Sequence, residues 1–236
     1  MTIRDVARRL PGILQLRDCS QALAMLDAIL CPERWLRYHS FDTHWGPDQE
    51  LASMRNGTGD EYSIVFSPAG AYVRVFDHES SMSPWRDLES PRPWPGLLES
   101  VPEVFRPYIA EPAFRLEGVP LVTACLWRQA SDDRWHTGNI AVPSDRDDPD
   151  GAEGLLELVL DGSPAGYQQF AEEYYEVSLD PADVAVIYAL RPLTDQLVTA
   201  LKSSPYAGRA GRGPRQHRVS HSGSAIAGAK SRTSLA

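Results

Sequence analysis

The sequence predicts an α+β fold, in which an antiparallel sheet built from two β-hairpins has N-terminal and C-terminal helices packed on it. Two pairs of strand-like runs lie in the middle of the chain, in the ranges 61–76 and 119–142. Apolar residues at helical spacing lie before and after them. Strands grouped in the middle, with helices grouped at the ends, are typical of α+β proteins rather than of alternating βαβ folds.

The first predicted hairpin has the clearest local pattern in the chain. In EYSIVF, residues 61–66, the large side chains of Tyr62, Ile64 and Phe66 recur at every second position, and AYVRVF at 71–76 alternates again. The four residues SPAG between the two runs contain the proline and glycine that turns favour. Because successive side chains of a strand point to opposite faces, the pattern predicts two paired strands.

The second predicted hairpin pairs VPLVTACLW, residues 119–127, with RWHTGNIAV, residues 134–142, across the polar stretch QASDD. The first of these runs is almost entirely apolar, as expected for a central strand that is covered on both faces. Between the two hairpins lie six prolines, from Pro84 to Pro107. They exclude one long helix in that region, because proline breaks the helical hydrogen-bond pattern.

Helices are predicted at both ends of the domain. Near the N-terminus, the segment 18–20 (Asp-Cys-Ser) is a candidate cap for an apolar helix that Pro32 ends. Toward the C-terminus, GAEGLLELVL at 151–160 is apolar with helical spacing. Further helix starts are predicted where a capping residue precedes an apolar run, at Ser163, Asp180 and Thr194.

Charge divides the chain into an acidic domain and a basic tail. Residues 202–236 carry seven Lys or Arg residues and no acids, so residues 1–201 carry 16 basic and 32 acidic residues, a net charge of −16. The segment 203–236 is rich in Gly, Ser, Ala and Arg, and it buries too little apolar surface to offset its chain entropy. We therefore predict a single α+β domain at 1–202 and a disordered basic tail at 203–236.

Composition excludes several classes of protein. No apolar stretch approaches the roughly 20 residues that a membrane-spanning helix needs, and no signal peptide is apparent, so a cytoplasmic protein without a membrane partner is predicted. The cysteines, Cys19, Cys31 and Cys125, form no C-x-x-C pair, which fits a reducing compartment and buried structural thiols. The 21 arginines against 2 lysines indicate a bacterial source with a GC-rich genome.

Three ionisable residues in a row, Asp77, His78 and Glu79, follow the first predicted hairpin. They are candidate metal ligands, because imidazole and carboxylate groups bind divalent metals. Alternation along a strand sends His78 to the face opposite the two acids, so the three converge on one ion only if the strand has already ended. The alternative interpretation is a solvated or hydrogen-bonded strand end.

A second set of candidate metal ligands, His39, Asp42 and His44, lies in the segment YHSFDTHW. In a loop, their spacing would bring two imidazoles and a carboxylate together, and with the first set they would form a divalent-metal site. Neither set has a fixed helical spacing such as H-E-x-x-H. No serine lies in a G-x-S-x-G motif, so nucleophilic catalysis has little support.

Three tryptophans are candidate anchors for a protein partner. Trp45, Trp85 and Trp94 lie in loop-like segments rich in proline, and tryptophan is enriched at the centres of protein interfaces. Asp77 and Glu79 would form the acidic rim of the same binding face. The alternative is that these aromatic side chains pack the loops onto the sheet.

The segments NGTGDEYSIVFSPAGAYVRVFDHESSMSP, WPGLLESVPEVFRPY and FAEEYYEV resemble a family of uncharacterised bacterial proteins. The resemblance covers about residues 15–201 and leaves the basic tail outside. It implies an acidic, cytoplasmic, single-domain protein, similar in general character to immunity and antitoxin-like proteins. It implies no catalytic residues, because none is established for such proteins.

These observations favour a non-catalytic protein that binds a basic protein partner and needs no cofactor, because a surface of net charge −16 attracts positive charge. Immunity-like or antitoxin-like activity is one form of this hypothesis. The alternative is a metal-dependent hydrolase that uses the His/Asp/Glu cluster. A third hypothesis, binding of nucleic acid through the tail at 203–236, is disfavoured because an acidic domain repels the phosphate backbone.

Overall fold

The computed structural model describes residues 2–203, so the predicted tail lies almost entirely outside the described residues. Within them the predicted fold class is confirmed: along the chain, the strands of an antiparallel sheet follow N-terminal helices and precede C-terminal helices, and α2 contacts helices of the C-terminal group. The strands are β1 (His39–Gly46), β2 (Gln49–Arg55), β3 (Glu61–Ser67), β4 (Gly70–Phe76), β5 (Arg115–Leu116), β6 (Val119–Pro120), β7 (Ala124–Gln129) and β8 (His136–Thr137). The α-helices are α1 (Ile3–Arg9), α2 (Ile13–Leu30), α3 (Arg106–Ile109), α4 (Ala152–Leu155), α5 (Glu157–Asp161), α6 (Pro164–Tyr174), α7 (Pro181–Tyr188) and α8 (Asp195–Ser203).

The main sheet has six strands in the order β1-β2-β3-β4-β7-β8, and all neighbours are antiparallel. The first predicted hairpin is β3 and β4, joined by the turn whose ends are Ser67 and Gly70. Gly70 has φ +133°, and a Cβ there would lie 2.1 Å from the carbonyl oxygen of Arg128 on β7. Glycine is therefore required both by the turn and by the close approach of β4 to β7.

Two strands lie on each side of the central hairpin, but β1 and β2 are longer than β7 and β8. β1 and β2 form an additional hairpin, so four consecutive strands make a meander. The second predicted hairpin is present as β7 and β8, but β8 contains only two residues. β1 lies at the edge with three consecutive exposed residues, which explains why its sequence alternates less clearly than that of β3.

The core lies on both faces of the central strands. One face packs on α2 through Leu16, Leu23 and Leu26, all fully buried. On the other face, the ring of Tyr72 contacts Phe105 and Tyr108, with ring centroids 6.3 and 5.7 Å apart. Every residue of β4 is consequently buried.

Most predicted helix starts are confirmed, and one is wrong. Ser163 accepts a hydrogen bond from the backbone N–H of Gly166 at 3.1 Å, and Asp180 caps α7 in the same manner. However, α2 begins at Ile13, well before the predicted cap at 18–20. Ser20 is buried within the helix, and its hydroxyl donates to the carbonyl of Leu16 at 2.8 Å. A serine that caps a helix and one that bonds back to the preceding turn have the same local sequence pattern.

The cysteines are buried and free, and among residues 2–203 no helix combines the length and apolar character needed to cross a bilayer. Burial raises the pKa of Cys19 to about 11 and that of Cys125 to about 12. Because the thiolate is the reactive form, both groups should be inert at neutral pH.

We predict that none of the three thiols reacts rapidly with Ellman's reagent in the folded protein at pH 7.5. In guanidinium chloride all three should react, because unfolding exposes them and restores their ordinary pKa. Absorbance at saturating reagent gives the count. A thiol that is titrated within seconds in the folded protein would contradict the burial described for Cys19, Cys31 and Cys125.

Candidate functional site

The segment Asp77-His78-Glu79 lies just beyond the end of β4, so the strand has ended as the metal hypothesis requires. Among residues 2–203, the group of side chains whose ligand atoms lie within 4.8 Å of one another is Asp60, Asp77 and His78. Asp60, immediately before β3, was not among the residues singled out from the sequence. It lies beside His78 because β3 and β4 pair, with Glu61 opposite Phe76.

Hydrogen bonds already occupy the side chains of this group. Oδ1 of Asp60 accepts from the backbone N–H of His78 at 2.9 Å and lies 2.6 Å from its Nδ1. Asp77 accepts from the backbone N–H of Glu79 at 2.9 Å, and its other oxygen is paired with the guanidinium of Arg146. A metal ion would have to displace these partners, so the contacts favour the hydrogen-bonded strand end over a ready metal site.

The other three predicted ligands lie elsewhere in the sheet. The register places His39 opposite Met54, Met54 opposite Tyr62, and Tyr62 opposite Val75. Three strand spacings of about 4.8 Å therefore separate the backbone of His39 from that of β4. Asp42 and His44 lie further along β1, and Asp42 caps the backbone N–H of His44 at 2.8 Å. The six predicted ligands thus do not form one site.

The predicted tryptophan anchors are half-buried, and two of them have clear packing roles. Trp45 stacks on Phe114 with ring centroids 5.7 Å apart. Trp94 donates its indole N–H to the carbonyl of Ala141 at 3.0 Å, and the guanidinium of Arg86 lies 4.9 Å from its ring centroid. These contacts support the packing alternative.

The most exposed tryptophan of the described residues is Trp35, with an exposed fraction of 82%. It lies in a single turn of 3₁₀-helix, Arg34–Leu36. The flanking Arg34 and Arg37 are the only indication in the sequence that this tryptophan belongs to the surface.

A polar network in the core joins α2, β1 and α6. The carboxyl group of Asp27, on α2, is completely buried. One oxygen accepts from the hydroxyl of Tyr167 on α6 at 2.6 Å. The other accepts from the backbone N–H of His39 at 2.6 Å and lies 3.1 Å from its Nδ1. His39 is therefore held in place by Asp27, far from the other predicted metal ligands.

His39 of this network also lines a cleft of about 390 Å³ between α5, α6 and the start of β1. We call it the acidic cleft. Its defining residues are the exposed acids Glu157, Asp161 and Glu173 and the aromatic residues Tyr38, Phe170 and Tyr174, with His39 at the base. The ring of Tyr38 lies 4.9 Å from that of Phe170 and 4.9 Å from that of Tyr174, so the aromatic wall is continuous.

The three acids of the cleft are not neutralised by any Lys or Arg of the described residues. Among residues 2–203, none of them forms an ion pair with Lys or Arg. Asp161 accepts from Ser163, and Glu173 accepts from the amide of Gln169 at 3.2 Å. Burial first, and then the charges of Asp60, Asp27 and Glu157, raise the pKa of Tyr38 to about 12. A negative field is thus directed at the aromatic wall.

Comparisons with protein-family models, with curated proteins and with solved structures give no match for this chain. The resemblance to a bacterial family of immunity-like character therefore stays a prediction, and the assignment of a function depends on the geometry of the site.

We predict that Asp60→Asn lowers the pKa of His78. Burial of the imidazole lowers this pKa, but the hydrogen bond and charge of Asp60 outweigh that effect and raise it above the usual 6.5. The pair should therefore stabilise the fold fully below pH ~6.5, and that contribution should disappear as pH rises through the folded pKa. NMR titration of the histidine ring protons measures the shift. Asp133→Asn, at an exposed loop position, is the control, and an unchanged pKa in Asp60→Asn would contradict the pairing.

Tyr167→Phe should lower the free energy of unfolding by about 1–3 kcal/mol, because it removes one hydrogen bond to a buried carboxyl group. Asp27→Ala should lower it by about 3–5 kcal/mol, since it leaves several buried donors without an acceptor. Urea denaturation followed by circular dichroism measures both. Tyr174→Phe serves as the control and should change stability by less than about 0.5 kcal/mol. If both Tyr→Phe variants lose the same free energy of unfolding, the hydrogen bond from Tyr167 to Asp27 does not stabilise the fold as expected.

Proposed function

We propose that this protein is a non-catalytic interaction protein whose acidic cleft binds basic side chains of a protein partner. The observation that carries the proposal is a group of three acids around an aromatic wall, Glu157, Asp161 and Glu173, which form no ion pair within residues 2–203. An immunity-like or antitoxin-like role in the bacterial cytoplasm would use such a cleft to cover a basic surface of the partner.

The chemistry of the cleft suits an arginine or lysine side chain. The aliphatic stem would pack along the rings of Tyr38 and Tyr174, and the cationic group would lie against a ring face and between carboxylates. The volume of about 390 Å³ is sufficient for one or two such side chains. A cation bound there would gain more than at an open surface, because the aromatic wall excludes water from one side.

The charge of the whole domain supports the same type of partner. Residues 1–201 have a net charge of −16, which would accelerate encounters with a basic protein and repel nucleic acid. Binding should consequently weaken as salt is added, because the Debye length falls from about 10 Å at 0.1 M to about 3 Å at 1 M.

The alternative of a metal-dependent hydrolase has less support. Its remaining geometric basis is the group of Asp60, Asp77 and His78, whose donor atoms already have protein partners. The hypothesis of a nucleic-acid-binding tail concerns residues outside the described part of the chain and stays a prediction.

We expect an acetylated tetra-arginine amide peptide to bind the full-length protein at low salt. The triple variant Glu157→Gln/Asp161→Asn/Glu173→Gln should bind it at least about tenfold more weakly, since three exposed ion pairs of about 0.5 kcal/mol each are lost. Isothermal titration calorimetry measures both affinities. Asparagine at 161 can still accept from Ser163, so the local turn should be preserved.

The matched control is Glu89→Gln/Glu117→Gln/Asp133→Asn, which removes the same net charge from exposed positions outside the cleft. The affinity of this control for the peptide should stay within about twofold of that of the unmodified protein, because only the long-range attraction by net charge is weakened. If the two triple variants lose equal affinity, the acidic cleft is not the binding site and only net charge matters.

A further inference from the structure

A second cleft, of about 710 Å³, lies on the other side of the edge strand β1. Three arginines from two separate segments line it: Arg34 and Arg37 near the 3₁₀ turn, and Arg55 at the end of β2. We call it the arginine cleft. Its floor includes Ser40 and Ser53, whose hydroxyl oxygens lie 2.8 Å apart on paired strands.

The arginine cleft is positive within a domain that is otherwise strongly negative. Arg34 is exposed and has no acidic partner among residues 2–203. Arg37 donates to the backbone carbonyls of Cys31 and Pro32 at 2.8 and 3.0 Å, which fix the guanidinium without neutralising its charge. Arg55 pairs with Glu61 at 3.2 Å, but its side chain is 72% exposed. The lining contains one acid, Asp42, against these three arginines.

Trp35 projects at the rim of this cleft with an exposed fraction of 82%. Leaving so large an apolar ring in water costs free energy that burial in a complex would recover. Tryptophan, tyrosine and arginine are the residue types most enriched among the energetically dominant positions of protein interfaces. The arginine cleft contains all three, which points to a protein ligand with negative charge.

The two clefts share one wall. Tyr38 and Tyr174 line both of them. Just after Tyr38, His39 lies in the acidic cleft and Ser40 lies in the arginine cleft, because consecutive side chains of β1 point to opposite faces. A ligand that passes over the edge of the sheet at Tyr38 would therefore meet negative charge on one side and positive charge on the other.

We infer that the arginine cleft binds an acidic stretch of the same protein partner whose basic side chains enter the acidic cleft. This inference rests on the proposed function and makes it more specific. The partner would present a basic group and an acidic group, separated by the few residues needed to cross the wall of Tyr38 and Tyr174. Arginine suits the carboxylates of such a stretch, because its planar fork pairs with them through two parallel hydrogen bonds.

Four synthetic peptides test the inference: triarginine, triglutamate, the two blocks joined by six Gly/Ser residues, and a chain of the same composition in which the charges alternate. The linker reaches roughly 20 Å, enough to cross the two rings. We expect the joined peptide to bind at least about fivefold more tightly than either block, because binding of one block raises the effective concentration of the other. The alternating peptide should lack this gain.

Variants of each cleft test which of the two charged peptides binds there. Arg34→Glu/Arg55→Glu should weaken triglutamate binding at least about tenfold and leave triarginine binding intact. Glu157→Gln/Asp161→Asn/Glu173→Gln should weaken triarginine binding at least about tenfold and leave triglutamate binding intact. Arg134→Glu/Arg191→Glu, which changes two exposed arginines outside both clefts, makes the same change in net charge and is the control for the first variant. In ¹⁵N NMR spectra, triglutamate should shift the indole signal that Trp35→Phe removes.

The outcomes separate this inference from the proposed function. If triarginine binds the acidic cleft but triglutamate leaves the Trp35 signal unchanged, the inference is wrong and the proposed function stands. If triarginine does not bind, the proposed function fails. If ATP binds the arginine cleft and triglutamate does not, the cleft is a site for a phosphorylated small molecule and the inference is again wrong.

Discussion

The buried carboxyl group of Asp27 constrains the structure around the candidate site more than any other side chain. It accepts hydrogen bonds from His39 on β1 and from Tyr167 on α6, while its own backbone belongs to α2. A buried polar group without partners is strongly destabilising, so these three elements must keep their relative positions for the core to be stable. The acidic cleft shares His39 with this junction, and Tyr38 and Phe170 of its aromatic wall lie on the chain segments that the network holds together.

The position of β1 at the edge of the sheet explains why two clefts of opposite charge can adjoin one another. On one face, α5 and α6 bring Glu157, Asp161 and Glu173 to the strand. On the other face, the 3₁₀ turn and the end of β2 bring Arg34, Arg37 and Arg55. Tyr38 and Tyr174 separate the two groups of charges, so the oppositely charged side chains do not neutralise each other. Charges that remain unpaired in this way are available to a partner.

Much of the fold follows from local pattern, whereas the site depends on contacts between residues distant in sequence. Alternation predicted β3 and β4, and capping residues predicted the starts of α6 and α7. The bond between Asp27 and Tyr167 joins residues 140 positions apart. Asp27 interrupts the apolar run 22–30 at helical spacing from Leu23 and Leu30, but nothing near it in the sequence identifies its partners.

The buried Arg74 was equally hidden in the sequence. A charged residue among the apolar residues of β4 is typical of a solvent-exposed position, yet Arg74 is 3% exposed and pairs with Glu61 at 2.5 Å. Its burial results from the cover provided by Phe114, whose ring centroid lies 4.4 Å from the guanidinium. For Trp35 the sequence conceals exposure instead of burial. An apolar residue next to arginines has the same local pattern in a strand as in an exposed turn.

The charged residues that follow β4 are used for contacts within the protein, which makes them less suitable for binding a partner. Asp77 is paired with Arg146 and contacts Gly151, where a Cβ would lie 2.4 Å from the Cβ of Asp77. Its carboxyl group thereby fixes the loop before α4, and Asp60 fixes His78 in a similar way. Charges used for such internal pairs have little left to offer a partner, because binding would first have to break them. The acids of the acidic cleft form no ion pair within residues 2–203 and carry no such penalty there, and for this reason our proposal places the binding role on α5 and α6 and not on the charged residues that follow β4.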